Sequence, residues 1–365
     1  MIYFWFGFIL ICNILAARKK RINSLVLLMT VVFIMLFWVG NTDGPDIRNY
    51  MNNYVSINSG LLSSSNQILY YGSMNILRQW GLTFYQYRFV INIISLILML
   101  IALYMTGTNV HFVLSLYFLQ LLFLDGIQIR NYAAIPFLLL GFVVLIKQVK
   151  YWRIIYTVFV IIASMFHVSF WVYLIFLFIP TWQYNKKRML KIHAAAGIII
   201  TAIVFRFRGQ MASLVAALNL IDSVRTSGYT SASTDMGALI PIGLQICGIY
   251  ITWYVYNRME KYSLIYTDDE ELLRNTNYCK FIFWINLLAC YLLPFSIVQL
   301  TFYRLIRNIL LVNFATIGIG RKYFRGTKLA LLTIIYIGIW IVAEFVLLNS
   351  FENVVFPFFE SNMYF

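Results

Sequence analysis

The sequence predicts an all-α, polytopic membrane protein, and three observations carry that prediction. Of the 365 residues, 62% are hydrophobic and 11% charged, with a mean hydropathy of +0.79. A soluble domain of this composition lacks the polar side chains to cover its surface. The apolar stretches are continuous, which fits helices that pair their backbone groups internally and does not fit the two-residue alternation of a transmembrane barrel. Basic residues cluster between the stretches, as they do in cytoplasmic loops.

About 12 stretches approach the ~20 apolar residues that a bilayer core takes. They are 2–17, 24–40, 84–105, 109–124, 131–147, 152–166, 168–181, 190–206, 236–256, 279–296, 301–319 and 329–349. The first, "MIYFWFGFILICNILAARKKR", has its basic cluster after the apolar run, so it reads as a retained helix and not a signal peptide. Residues 152–181 read as two short spans meeting at His167, because basic loops flank the pair on both sides and require a hairpin. The whole chain, 1–365, is predicted as a single transmembrane domain. The four cysteines fall in or beside apolar spans, with no disulfide framework or zinc spacing.

If the spans alternate, 19 of the 28 basic residues lie on one side, the cytoplasm, and both termini face out. All eleven lysines are then cytoplasmic. The nine outer basic residues are all arginine: Arg48, Arg78, Arg88, Arg130, Arg206, Arg208, Arg225, Arg304 and Arg307. Snorkelling serves lysine equally well, whereas the planar guanidinium fork binds phosphate bidentately and keeps its charge when buried. Residues 41–83 and 206–235 are predicted as extracytoplasmic loops with amphipathic helices. Residues 257–278 are predicted as a cytoplasmic loop in which Thr267 caps a solvated helix start. The net charge of +15 belongs to the cytoplasmic loops, and no nucleic acid is expected.

Four groups of residues could carry chemistry. In "WVGNTDGPDIRNYMNNY", Gly44-Pro45 make a turn; a helix after it would set Asp46, Tyr50 and Tyr54 on one face at i, i+4 and i+8, beside Asp43. In "DGIQIRNYAAIPF", Asp125, Gln128 and Arg130 stand at an outer turn entering a helix. His167 sits in "ASMFHVSFW", recessed in the hairpin. A lone histidine in apolar surroundings often serves packing, but ionisable groups are expensive inside a membrane, which favours a functional role. In "FYRLIRNILL", Arg304 and Arg307 share a helical face at i, i+3, beside Tyr303; two guanidiniums there suit a diphosphate or a carboxylate-rich ligand. No P-loop, GxGxxG, HExxH or GxSxG occurs. Any donor substrate is therefore expected to be membrane-borne and already activated, and no cofactor or metal is expected.

"GNTDGPDIRNYMNNY", "IRNYAA", "FHVSFWVYL" and "FYRLIRN", in that order, resemble the EpsG family, grouped with the Wzy-type polymerases of exopolysaccharide, capsule and O-antigen. The resemblance covers nearly the whole chain. It implies a GT-C-like glycosyltransferase architecture with an outer-face cavity in the bacterial cytoplasmic membrane. It also implies a reaction: oligosaccharide repeat units on undecaprenyl diphosphate, serving as donor and acceptor, are joined, and undecaprenyl diphosphate leaves. Asp46, Tyr50 and Tyr54 match the family's Asp-x3-Tyr-x3-Tyr pattern, Arg130 the arginine that opens a central helix, His167 the hairpin histidine, and Arg304 and Arg307 the late arginine cluster. His167 and Asp46 are then the expected catalytic groups and the three arginines the diphosphate ligands. Tyr50, Tyr54, Asp43, Asp125, Gln128 and Tyr303 are the expected substrate contacts. Asp43 and Pro45 depart from the simplest pattern, which leaves the base open among Asp43, Asp46 and His167. A chain-length regulator, a flippase and membrane lipid are the expected partners. The alternatives are a glycan ligase of the same class, a transporter or flippase for lipid-linked oligosaccharide, and a membrane acyltransferase.

Overall fold

Several helices in this chain begin where a side chain satisfies a free backbone group of the helix end. The computed structural model describes residues 1–19, 21–44, 46–57, 66–182, 186–207, 210, 239–298, 300–324 and 326–365. In chain order the helices are α1 (Ile2–Ala16), α2 (Ser24–Gly40), α3 (Ile47–Ser56), α4 (Ile68–Gln79), α5 (Phe84–Met105), α6 (Val110–Gln120), α7 (Leu122–Ile127), α8 (Ile129–Lys147) and α9 (Trp152–Phe166). A 3-10 helix (Val168–Trp182) follows, then α10 (Lys186–Arg206), α11 (Leu239–Ile265), α12 (Glu270–Ala289), α13 (Leu293–Val298), α14 (Arg304–Arg307), α15 (Leu310–Tyr323), α16 (Thr327–Ile341) and α17 (Phe356–Glu360). Short π-helical turns, Val342–Leu347 and Phe351–Val355, precede α17.

Asn23 caps α2 by accepting from Val26 N at 3.2 Å, and Asn109 caps α6 in the same way. Thr83 and Gln86 form a reciprocal capping box at the start of α5. α4 stops on Gly81, whose φ of +80° suits a residue without a Cβ. Gly81 N bonds Arg78 O and Leu82 N bonds Leu77 O, a closed C-terminal motif that turns the chain straight into the α5 cap.

Each of the twelve predicted stretches is mostly helical over its described residues; the fourth breaks at Leu121, the eleventh at residues 308–309, and the helical part of the twelfth ends at Leu347. Among the described residues, five helices are long and apolar enough to cross a membrane: Phe84–Met105, Ile129–Lys147, Leu239–Ile265, Glu270–Ser296 and Thr327–Leu347. The others are shorter except α10, Lys186–Arg206, whose first two turns carry Lys186, Lys187, Arg188 and Lys191. Val168–Trp182 has 15 residues, too few for an α-helical crossing, but as a 3-10 helix with a rise of about 2.0 Å per residue it reaches about 30 Å. Tyr156 Oη donates to the Tyr173 carbonyl at 2.7 Å. A continuous rod would hold those residues roughly 25 Å apart, so the chain reverses between them, and His167 lies at the reversal.

Residues 257–278 differ from the predicted loop. α11 runs on to Ile265 and α12 begins at Glu270, leaving a turn of 266–269. Hydropathy ends where the apolar residues end, whereas a helix continues as long as its exposed face is charged and its other face is covered; Met259 and Leu272 are both buried. The cap of α12 is Asp269, which accepts from Leu272 N at 2.9 Å, and not Thr267. The predicted loop 206–235 lies almost wholly outside the described residues.

The chain divides into two compact units. The first comprises Met1–Val143, Ile161–His167 and Ile337–Phe365; the second comprises Val144–Val160 and Val168–Tyr336. In the first, His111 joins the α1–α2 turn to α6. Asn23 N donates to His111 Nε2 at 3.1 Å, so the ring proton sits on Nδ1 and is donated to Asn13 Oδ1 at 2.9 Å. Asn13 Nδ2 donates to Thr30 Oγ1 at 2.8 Å and to the Ile9 carbonyl. The chain of bonds accounts for both ring nitrogens with a neutral imidazole, and His111 is a packing residue.

The second unit holds a buried amide network. Asn286 Nδ2 donates to Asn313 Oδ1 at 2.7 Å, Asn313 Nδ2 donates to Asn286 Oδ1 at 3.1 Å and Tyr336 Oη at 3.0 Å, and Gln245 Nε2 donates to the Asn286 carbonyl. Gly248 makes room for it: a Cβ there would stand 3.0 Å from Asn286 Oδ1. Small residues beside interhelical amides are the usual means of joining helices in lipid. Asn286→Ala orphans several buried groups at once and is expected to destabilise by about 1–3 kcal/mol. Thermal unfolding in detergent measures this, and an unchanged melting curve would contradict it.

Candidate functional site

The strongest candidate site lies in the first unit and is built on Arg130, the second residue of α8. The preceding Gln128 ends α7, and its carbonyl accepts the Tyr132 N–H at 2.8 Å, so the chain re-enters a helix directly. A helix N-terminus carries roughly half a positive charge. Arginine is therefore an unfavourable residue there unless an anion is to be held. The side chain is also largely enclosed, at 8% exposure. Its guanidinium carbon lies 5.6 Å from the Tyr50 ring centroid and 5.7 Å from that of Tyr70, and Nη1 donates to Gln67 Oε1 at 3.1 Å. Ring faces attract the cation, and the amide fixes its rotation.

The elements that bring these partners together follow from the sequence pattern. α3 buries Ile47, Tyr50 and Tyr54, the i, i+3, i+7 face of a helix, and α4 buries Tyr70, Tyr71, Met74 and Leu77. These faces form one cluster with Phe84, Tyr87, Ile91, Ile129 and Ala133. Tyr54 Oη donates to the Leu82 carbonyl at 2.7 Å. Burial raises the Tyr54 phenol above its ordinary pKa, with the charge of Arg78 opposing it. Tyr70 is raised further, again chiefly by burial. Both phenols therefore stay neutral at physiological pH, and neither neutralises Arg130 as a phenolate.

The other expected site residues fall in several places. Asp46 is half-buried at the N-cap position of α3, one turn before Tyr50. Asp43 is exposed and pairs with Arg48 at 2.8 Å on the surface. Asp125 is 1% exposed and accepts from Tyr117 Oη at 3.0 Å, and Gln128 is buried beside it in the chain. His167, half-buried, follows Phe166, which packs against the tyrosine cluster and stacks on Phe137 at 5.6 Å, two turns along α8 from Arg130. In the second unit Arg307 is 1% exposed, lies 5.7 Å from the Tyr303 ring centroid and donates to Tyr303 Oη at 3.2 Å. Asn308 and Leu305 beside it are anchored by Tyr173 Oη, at 3.0 and 2.8 Å. Arg304, on the same short helix, is half-buried.

Three residues that shape the first site have no assigned role in the sequence reading beyond their place in a loop or an arginine set. Gln67 and Tyr70 hold Arg130. Arg88, fully buried on α5, donates through Nη1 to the Asn41 carbonyl at 2.7 Å and through Nη2 to the Gly126 carbonyl at 2.8 Å. Its fork ties the loop before α3 to the short helix α7 that precedes α8. Arg78 likewise uses Nη1 on the Ile57 carbonyl at 3.0 Å. Two of the nine arginines predicted to face out thus serve backbone carbonyls, and the preference for arginine over lysine has a structural component. The position of Arg88, a charge four residues inside a span, is the signal that could have singled it out.

A chain whose described residues are all-helical, with several apolar helices long enough to cross a membrane, fits the class of polytopic membrane proteins. A family comparison makes the assignment definite: the EpsG family model matches residues 25–359, and the chain belongs to the EpsG family. No curated protein and no solved structure matches the chain. Family membership points to polysaccharide polymerisation by a glycosyltransferase-type reaction.

Proposed function

We propose that this EpsG-family chain joins oligosaccharide repeat units carried on undecaprenyl diphosphate at the outer face of the bacterial cytoplasmic membrane. The twelve helical stretches would be its spans, in a GT-C-like arrangement with an outward-facing cavity. The observation that carries the reading is the enclosed Arg130, held by Tyr50, Tyr70 and Gln67 at a helix N-terminus. The donor is the growing chain. A hydroxyl of the acceptor unit attacks its anomeric carbon, the bond to the phosphate oxygen breaks, and undecaprenyl diphosphate departs with the electron pair. Negative charge grows on the leaving oxygens, which is where preorganised guanidiniums act most strongly. Arg130 is assigned to that charge, and Arg304 and Arg307 are assigned the same chemistry.

The attacking hydroxyl loses a proton. His167 is assigned as its acceptor because imidazole titrates near neutral pH, with Asp46 orienting the acceptor sugar. Asp43 is the weaker candidate, since it lies exposed on the surface. A flippase supplying the lipid-linked units and a chain-length regulator are the proposed partners. In a producing strain, depletion of the chain is expected to stop polymer formation and to leave single lipid-linked units. Unchanged polymer length would remove the proposal.

A further inference from the structure

We propose that the segment Ser361–Met363 is a strap that positions the site, with Asn362 as its positioning residue. The inference rests on the polymerase reading for its functional half. The loop Gly40–Thr42 leads from α2 into the turn before α3, and the strap holds it throughout. Thr42 N and Thr42 Oγ1 both donate to the Ser361 carbonyl, at 3.2 and 3.0 Å. Met363 N donates to the Gly40 carbonyl at 2.9 Å, and Asn41 bridges Asn362 in antiparallel fashion. Asn362 Nδ2 donates to the Phe37 carbonyl at 2.9 Å, satisfying one of the open carbonyls at the end of α2. The Asn41 carbonyl is taken by Arg88 from the other side.

The rigidity continues toward Arg130. Asp43 N donates to Asn41 Oδ1 at 3.1 Å, and Ile47 N donates to the Gly44 carbonyl at 3.0 Å, which starts α3. One turn on, Tyr50 lies under the guanidinium of Arg130. A shift of the loop therefore moves α3, and a shift of α3 moves a ring face from Arg130. The EpsG match ends at residue 359, so the strap lies just beyond the matched part of the chain.

Gly40 supplies the test. A Cβ there would stand 2.1 Å from Asn362 Oδ1, 2.8 Å from Asn362 Cγ and 2.8 Å from Cδ2 of the exposed Tyr364 ring. Gly40→Ala must push the Asn362 side chain off the Phe37 carbonyl. The experiment compares Gly40→Ala, Asn362→Gly and the double variant in purified full-length protein, all in a Tyr364→Ala background so that Asn362 is the remaining close neighbour. It reads amide hydrogen exchange over residues 40–50 and, with lipid-linked repeat units, polymer formation.

Gly40→Ala is expected to speed exchange and to lower the rate by about 10²-fold, the scale of a displaced catalytic group. Asn362→Gly is expected to lose less. In the double variant the clash is gone, so it is expected to return to the level of Asn362→Gly alone, a non-additivity that independent damage does not produce. A double variant as poor as Gly40→Ala, or fast exchange with a normal rate, would overturn the proposal. If the unaltered protein makes no polymer, the polymerase reading fails, and exchange at residues 40–50 by itself decides whether the strap holds α3.

Discussion

Lysine in place of Arg130 is expected to lower the polymerisation rate by about 10²–10³-fold, the cost of losing one preorganised donor to developing charge. The substitution keeps the positive charge, so a site that needs only charge would survive it. The structure shows why more than charge is at stake. The planar guanidinium lies against Tyr50 and Tyr70 while Nη1 engages Gln67. An ammonium has no flat face to stack and no second edge to present while one donor is engaged. Tyr70→Leu, which removes one ring and leaves Arg130 in place, is expected to give a smaller loss of the same kind. Parallel melting curves show whether folding is kept. Near-normal polymerisation by a folded Arg130→Lys protein would remove Arg130 from the diphosphate site.

Arg88→Met is expected to damage both stability and activity. Two backbone carbonyls, of the buried Asn41 and Gly126, lose their donor. An orphaned buried polar group costs about 1–3 kcal/mol, so the pair is expected to lower stability by about 2–5 kcal/mol. Arg88→Lys can serve only one carbonyl at a time and is expected to fall between. The diagnostic is where the structure loosens. Hydrogen exchange is expected to rise around residues 41–43 and 126–128 together, because one fork holds both. Loosening at one segment alone would show that the two are not tied through Arg88.

The fold was legible in the sequence to the extent that burial alone decides it. Apolar runs located the helices, and basic flanks required the reversal at His167. The 3-10 geometry of Val168–Trp182 was not legible, since rise per residue leaves no mark in composition. The ends of α11 and α12 were missed because their charged faces look like a loop to hydropathy. In the site, the spacing of Asp46, Tyr50 and Tyr54 indicated a helical face; α3 buries Tyr50 and Tyr54 together with Ile47, while Asp46 stands before it at the N-cap. What the spacing could not say is that Tyr50 would pack on an arginine and that Tyr54 would bond Leu82. Both depend on contacts with segments 28 to 80 residues away. Arginine selection pointed to ion recognition, and Arg130 and Arg307 do lie on tyrosine rings. Arg78 and Arg88 show the other use of the same fork, on carbonyls.

The most direct test supplies the purified protein, reconstituted in vesicles, with undecaprenyl-diphosphate-linked repeat units and no nucleotide. The account predicts a ladder of products growing by whole repeat units, with release of undecaprenyl diphosphate, and its loss in Arg130→Lys. Movement of the lipid-linked units across the vesicle membrane with no chain growth would contradict it.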